Sequence, residues 1–444
     1  MNPVTARYVA DPALAGAVAA ADLPPAYRHY WSGTLLSRPL FVPEPDLLAC
    51  ARDAIAVLDL LGSLPRRVFD GDVTRYCATL GIDPVTSGLL SSYYDGPPVH
   101  YGRADFYRDG SSFTMLEFNV ASDLGGLDNA SLHQALLGVP AFASFAEEHG
   151  LGHVDTAAEV VRSLRAASAV PDPVVALLCA DADLPAYRDL LGSFVEAFSR
   201  LGLHAVAGGL SEVRTRSGRL FVGDTRADVV LRYFTVDHVP ANSEVIAQIL
   251  RAHENGTCAL FTPMSSSLWS NKGALALLSD ARWTSEAERA LVDRVLPWTR
   301  PLTADLVDQC VDERESLIVK PPRDFGGHGV VAGWETPETA WKELLDQAVR
   351  RSYVVQRRVT AEPEPVADPE TGEVREWIPA WGLFVTPEGF AGTFIRAVPQ
   401  GGGAVVNLGA NSKARVAAAF TCQPRICRDA PRGRSRRTPR RSGR

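Results

Sequence analysis

No apolar run in the 444 residues approaches the ~18 needed to span a bilayer, so no transmembrane helix is expected. The opening stretch "MNPVTARYVADPALAGAVAAADLPP" has no basic segment ahead of a compact apolar core and carries Asp11. A secretory leader is therefore not expected, and a cytoplasmic location follows. Cysteine is scarce, seven residues at 50, 77, 179, 258, 310, 422 and 427, odd in number and without a CxxC spacing. That usage excludes a disulfide framework and a zinc site and points to buried thiols in a reducing compartment. Neither GxGxxG nor GxxxxGK[ST] occurs, so neither a dinucleotide fingerprint nor a Walker A loop is implied.

What is present is ordinary for a soluble enzyme, 46% apolar and 22% charged, on a chain long enough for two or three lobes. The net charge of -7 is uneven. From residue 421 onward, nine Arg and one Asp give +8, which leaves -15 on residues 1–420. An acidic body of that size argues against a nucleic-acid partner. The basic end reads as a disordered Arg-rich tail over 421–444, the product of a GC-rich gene read out of frame rather than a binding arm.

Periodicity divides the chain further. Residues 1–95 read as mainly helical, with "DLLACARDAIAVLDLLGSLP" ending on Gly-Ser-Leu-Pro. Residues 96–170 hold a hairpin, "VHYGRADFY" and "FTMLEFNV" about the turn "RDGSS", followed by helices. Over 171–300, "PVVALLCAD", "HAVAGG" and "LFVGDTRADVVLRYF" alternate with helices as in a Rossmann-like α/β domain. Over 301–420 the order is strand "SLIVKPP", Gly-rich loop "RDFGGHGV", strand, helix, strand "SYVVQRRV". Two more strands, "WIPAWGLFVT" and "GFAGTFIRAVP", follow a polar insert. The fold class expected is α/β with α+β lobes.

Three constellations carry chemistry. Side chains on a strand repeat every two residues, so Arg103 and Asp105 share a face, as do Glu117 and Asn119. If the Asp109-Gly110 turn pairs the strands, those faces coincide, and two carboxylates with an amide are a hard-oxygen set suited to Mg²⁺. A solvated sheet edge would look the same in isolation. Lys320 ends an apolar strand, and Gly326, Gly327, His328 and Gly329 form a loop whose N–H groups can approach phosphates. Gln356 sits at a strand end where the chain turns. Asp123, Asp128 and Asn129 read as turn and cap residues; Arg232, Asn271 and Lys272 are further candidates for a substrate pocket.

Together these segments resemble the circularly permuted branch of the ATP-grasp family, glutathionylspermidine synthetase-like, over about 90–135 and 225–410. The resemblance implies an ATP-dependent carboxylate–amine ligase acting through an acyl-phosphate. It puts Mg²⁺ on Asp105, Glu117 and Asn119. The ATP phosphates would meet Lys320 and the 326–329 loop, with Gln356 on the hinge strand of the nucleotide site and Arg103 and Arg396 facing the transferred phosphoryl group. Family members carry a carboxylate after the hinge glutamine, whereas Arg357 and Arg358 stand here. Small-molecule carboxylate and amine substrates are the implied partners. The alternatives are a phosphotransferase or a nucleotide-binding protein of the same fold that does not ligate, and, from another class, a nucleic-acid-binding or scaffold protein led by the Arg tail.

Overall fold

The computed structural model describes residues 2–324, 326–368 and 370–427. Its architecture is mixed helix and sheet. Helices fill the first 95 residues, and the longest, Glu44–Phe69, shows where the reading of its end fails. Gly-Ser-Leu-Pro lies inside this helix, because Leu61, Leu64 and Phe69 continue the buried stripe past Pro65. Gly62 packs so tightly that a Cβ there would stand 2.8 Å from Pro98 Cδ, and Asp70, in the left-handed region, ends the helix instead.

The expected hairpin forms, Gly102–Asp109 with Ser112–Asn119, and it belongs to an antiparallel sheet of six strands. Beside Gly102–Asp109 lies Val374–Thr386, then Gly389–Pro399, then Arg415–Ala417. The sixth strand, Glu364–Ala367, comes from the supposed polar insert and pairs with the first part of Val374–Thr386. One sheet thus joins the 96–170 segment to the end of the 301–420 segment.

A separate antiparallel sheet of four strands carries Lys320. Its order is Thr299–Pro301, Val354–Arg357, Leu317–Lys320, Val331–Ala332. Helix Glu338–Arg350 covers it, with Trp341 and Leu345 packed on Val319 and Val355. The amphipathic pattern of that helix is what buries this small core.

In the middle of the chain, four parallel strands stand in the spatial order Ala259–Phe261, Val229–Arg232, Val175–Cys179, Ala205–Gly209. Helix Leu184–Arg200 connects the two strands at one side, and Val239–Glu254 connects the two at the other. The chain is therefore wound outward in both directions from the Val175–Cys179 and Val229–Arg232 pair. Part of "LFVGDTRADVVLRYF" is not in this layer: Arg219–Val222 and Thr225–Ala227 join Val213–Arg216 in a small antiparallel sheet.

The chain end departs from expectation. Ala419–Cys422 pairs in parallel with Leu40–Pro43, and Pro424–Cys427 is helical, so order continues beyond residue 421. That turn folds Cys427 back onto the strand, bonded to Cys422 with Cα atoms 6.1 Å apart, within disulfide reach, where no disulfide was expected. The other five cysteines are free and buried. The remainder of the Arg-rich segment, 428–444, lies outside the described residues. Among the described residues no helix is long and apolar enough to cross a membrane.

Candidate active site

The hairpin register decides the first constellation. Asp105 lies opposite Glu117 and Arg103 opposite Asn119, so the two faces do coincide. Sequence reading did not reveal a bulge: Asp105 pairs with Glu117 but Phe106 pairs with Met115, leaving Leu116 unpaired. Bulges re-aim backbone groups, and here the Leu116 carbonyl accepts from Lys320 Nζ at 3.1 Å.

Asp105 is buried between two guanidiniums. Its Oδ1 accepts from Arg103 Nε at 3.0 Å and lies 2.7 Å from Arg396 Nη2, with both Arg396 and Asp105 side chains 4% exposed. Burial alone would raise this carboxyl, yet the two arginines more than offset it and hold it below the usual carboxylate range. Asn119 Nδ2 stands 3.4 Å from both Asp105 Oδ2 and Glu117 Oε1. Glu117 Oε2 lies 3.5 Å from Lys272 Nζ, which also donates to the Asp324 carbonyl at 2.7 Å.

Lys320 is buried, and its ammonium donates to Gln356 Oε1 at 2.7 Å. Burial pushes it down to about 8. Gln356 also donates to Thr299 Oγ1 at 3.1 Å, so its side chain orients Lys320, and residues 357–361 after it line the cavity.

Two cavities share Glu117, Arg396 and Asn407 in their walls. The first, about 380 Å³, is bounded by Lys320, Gln356, Asp105, Trp334 and apolar Ile318 and Ile378. The second, about 300 Å³, is bounded by Arg103, Asn119, Asp123, Tyr187, Lys272 and Arg323 among others. Gly327 borders the first and Gly326 the second, whereas His328 and Gly329 line neither. These glycines sit at φ of +68°, +79° and +68°, a backbone that side chains disfavour. A Cβ at Gly327 would stand 2.4 Å from Val405 Cγ1, so the loop lies against a second roof, residues 400–407, which sequence reading missed. The cluster "QGGGAVVN" was the signal that could have found it.

The other candidates divide. Lys272 is buried in the site, and Asn271 caps its helix by accepting from the Gly273 N–H at 2.7 Å. Arg232 is structural, donating to the carbonyls of Thr262, Phe234 and Pro263 at 2.8, 2.7 and 2.9 Å. Asp128 and Asn129 cap nothing with their side chains: Asp128 accepts from Trp31 Nε1 at 2.8 Å, and Asn129 accepts from Tyr27 and donates to the Thr393 carbonyl.

The donor set fits Mg²⁺ only in company. Among the described residues no three His, Cys, Asp or Glu gather as a metal cage. Two carboxylates and an amide beside four cations, Arg103, Arg396, Lys272 and Lys320, suit a divalent ion that arrives with phosphate oxygens. Arg396 Nε, buried without a partner, is a donor free for such an anion.

No protein-family model matches the chain, and no curated protein does. Solved structures resemble it at low sequence identity. A glutathione synthetase-like effector from Globodera pallida superposes at a TM-score of 0.56 over 87% of this chain and 90% of that one, at 12% identity, which establishes a shared fold. A putative gamma-glutamylcysteine synthetase from Methylobacillus flagellatus matches over 73% of this chain and 82% of its own at a TM-score of 0.38 and 13% identity. A RimK-domain ATP-grasp protein from Sphaerobacter thermophilus matches over 50% and 90% at a TM-score of 0.25 and 16% identity.

Proposed function

We propose that the chain is an ATP-dependent carboxylate–amine ligase, with ATP in the first cavity and the carboxylate and amine substrates in the second. The observation that carries this reading is the wall the two cavities share, Glu117, Arg396 and Asn407, where a phosphoryl group would pass. In chain order the 102–119 hairpin precedes the Lys320 strand, which accords with a circularly permuted ATP-grasp arrangement.

In this reading the acid substrate's carboxylate oxygen takes the γ-phosphoryl of ATP and ADP leaves, giving an acyl-phosphate. The amine nitrogen then bonds to the acyl carbon, the C–O bond to phosphate breaks, and the amine gives up a proton. Little covalent work falls to the protein; positioning and charge neutralisation carry the catalysis. Lys320, held by Gln356 and the Leu116 carbonyl, sets an ammonium on the phosphates. Arg396 and Arg103, fixed by Asp105, face the transferred group. Glu117, Asn119 and the outer oxygen of Asp105 would hold Mg²⁺, whose contribution is to neutralise phosphate charge. The 326–329 loop and the 400–407 roof keep water from the acyl-phosphate.

The test is ADP release screened over pairs of small carboxylates and amines, with the condensed product read by mass. Release that requires both partners supports the ligase. Release with a hydroxyl acceptor alone assigns a phosphotransferase, and Mg-ATP stabilisation without turnover assigns a nucleotide binder.

A further inference from the structure

The second cavity opens at a particular place in the parallel sheet. Val175–Cys179 and Val229–Arg232 are adjacent, and the chain leaves their carboxyl ends in opposite directions. Tyr187 follows the first strand and Thr235 the second, and both line the cavity. The crevice outside the carboxyl ends of strands, where the winding reverses, is where open α/β sheets bind ligands.

Among the described residues, the charges lining it are ion-paired except for two carboxylates, Asp123 and Asp324. Arg103 and Arg396 face Asp105, Lys272 faces Glu117, and Arg323 lies 2.6 Å from Asp237. Asp324 is exposed to solvent. Asp123 is half-buried, lines the cavity, and among the described residues has no ion-pair partner. The neighbouring groups are committed elsewhere: Arg232 to the 262–266 segment, and the His238 ring to Asp183 at 2.9 Å. Aromatic side chains share the wall with it: Tyr187, whose hydroxyl feels the Asp123 charge, and Tyr30 and Trp31. Desolvation raises the Asp123 carboxyl above its ordinary range, the cost of a negative charge left uncompensated.

We infer that Asp123 is the specificity residue of the second cavity and that it takes an alkylammonium group, bound by its carboxylate in a wall that also holds the Tyr187 ring. An ammonium supplies the missing counter-charge and gains from aromatic faces, whereas a neutral isostere supplies neither. The inference rests on the ligase reading for the adjoining nucleotide cavity, and it gives that reading a cationic amine as its second substrate.

The experiment measures binding of n-butylamine, protonated at pH 7, and of neutral 1-butanol to the full chain by saturation-transfer NMR. Mg-AMP-PNP binding is titrated separately. Wild type is expected to bind the amine at least tenfold more tightly than the alcohol. Asp123→Asn should lose that preference, Asp123→Glu should retain most of it, and both variants should bind Mg-AMP-PNP as wild type does. Equal affinity for amine and alcohol in wild type, a comparison that needs no variant to fold, overturns the inference, as does an unchanged preference in Asp123→Asn. Amine binding without Mg-AMP-PNP binding would instead refute the ligase reading and leave the ammonium site standing.

Discussion

Lys320 donates to Gln356 across two antiparallel strands at 2.7 Å, and the register that puts Ile318 opposite Gln356 makes the two side chains diagonal neighbours on one face. That amide oxygen and the Leu116 carbonyl both accept from the buried ammonium, yet burial still pulls Lys320 down to about 8. Polyphosphate binding needs the protonated form. Mg-ATP-analogue affinity should therefore be highest below pH 8 and fall about tenfold, about 1.4 kcal/mol, by about pH 9. Stability runs the other way: the unfolded lysine keeps its proton to about pH 10.4, so the Lys320 penalty is present below 8 and relieved as pH rises from there. Calorimetric titration of wild type and Lys320→Met across this range checks both; a pH slope that survives in Lys320→Met would contradict the assignment.

Glu117 is half-buried and held only at its tip, so its removal leaves the sheet intact. Glu117→Ala should unfold at the wild-type temperature within a few degrees and lose ATP turnover by about a hundredfold or more. Normal turnover in this variant would sink the metal assignment.

Arg396 tests the buried charge network. Arg396→Ala leaves Asp105 with Arg103 as its one remaining guanidinium, and urea unfolding should report a loss of about 3 kcal/mol. Arg396→Lys should recover part of the stability, since it restores the charge but not the fork. A loss below about 1 kcal/mol would mean that Asp105 is satisfied without Arg396.

The loop contact gives a prediction with an internal rescue. Gly327→Ala brings both a disfavoured φ of +79° and a Cβ into Val405, so nucleotide affinity should drop about tenfold with little change in melting temperature. Adding Val405→Ala removes the clash but not the backbone strain, and should restore part of the affinity. If the double variant binds no better than the single one, the two loops do not meet when nucleotide binds.

Much of this site was legible because it follows local rules. The two-residue period on each hairpin strand put Asp105, Glu117 and Asn119 on one face as soon as the Asp-Gly turn paired the strands. Lys320 was marked by its position at the end of an apolar run. The Leu116 bulge, the grip of Arg396 on Asp105 and the contact of Gly327 with Val405 depend on pairings between distant segments, which no local pattern encodes. Leu40–Pro43 was invisible as a strand for the same reason, since its partner is Ala419–Cys422. Asp123, two residues ahead of Gly-Gly, reads locally as a turn residue, and the cavity it lines is shaped by segments distant in sequence.

The most direct measurement is ADP formation by the purified full chain with Mg-ATP, across a matrix of small carboxylates crossed with alkylamines. The account predicts at least one pair for which ADP appears only when both are present, together with one equivalent of phosphate and an amide product lighter than its two substrates by one water. Absence of ATP binding and turnover across the whole matrix would contradict it.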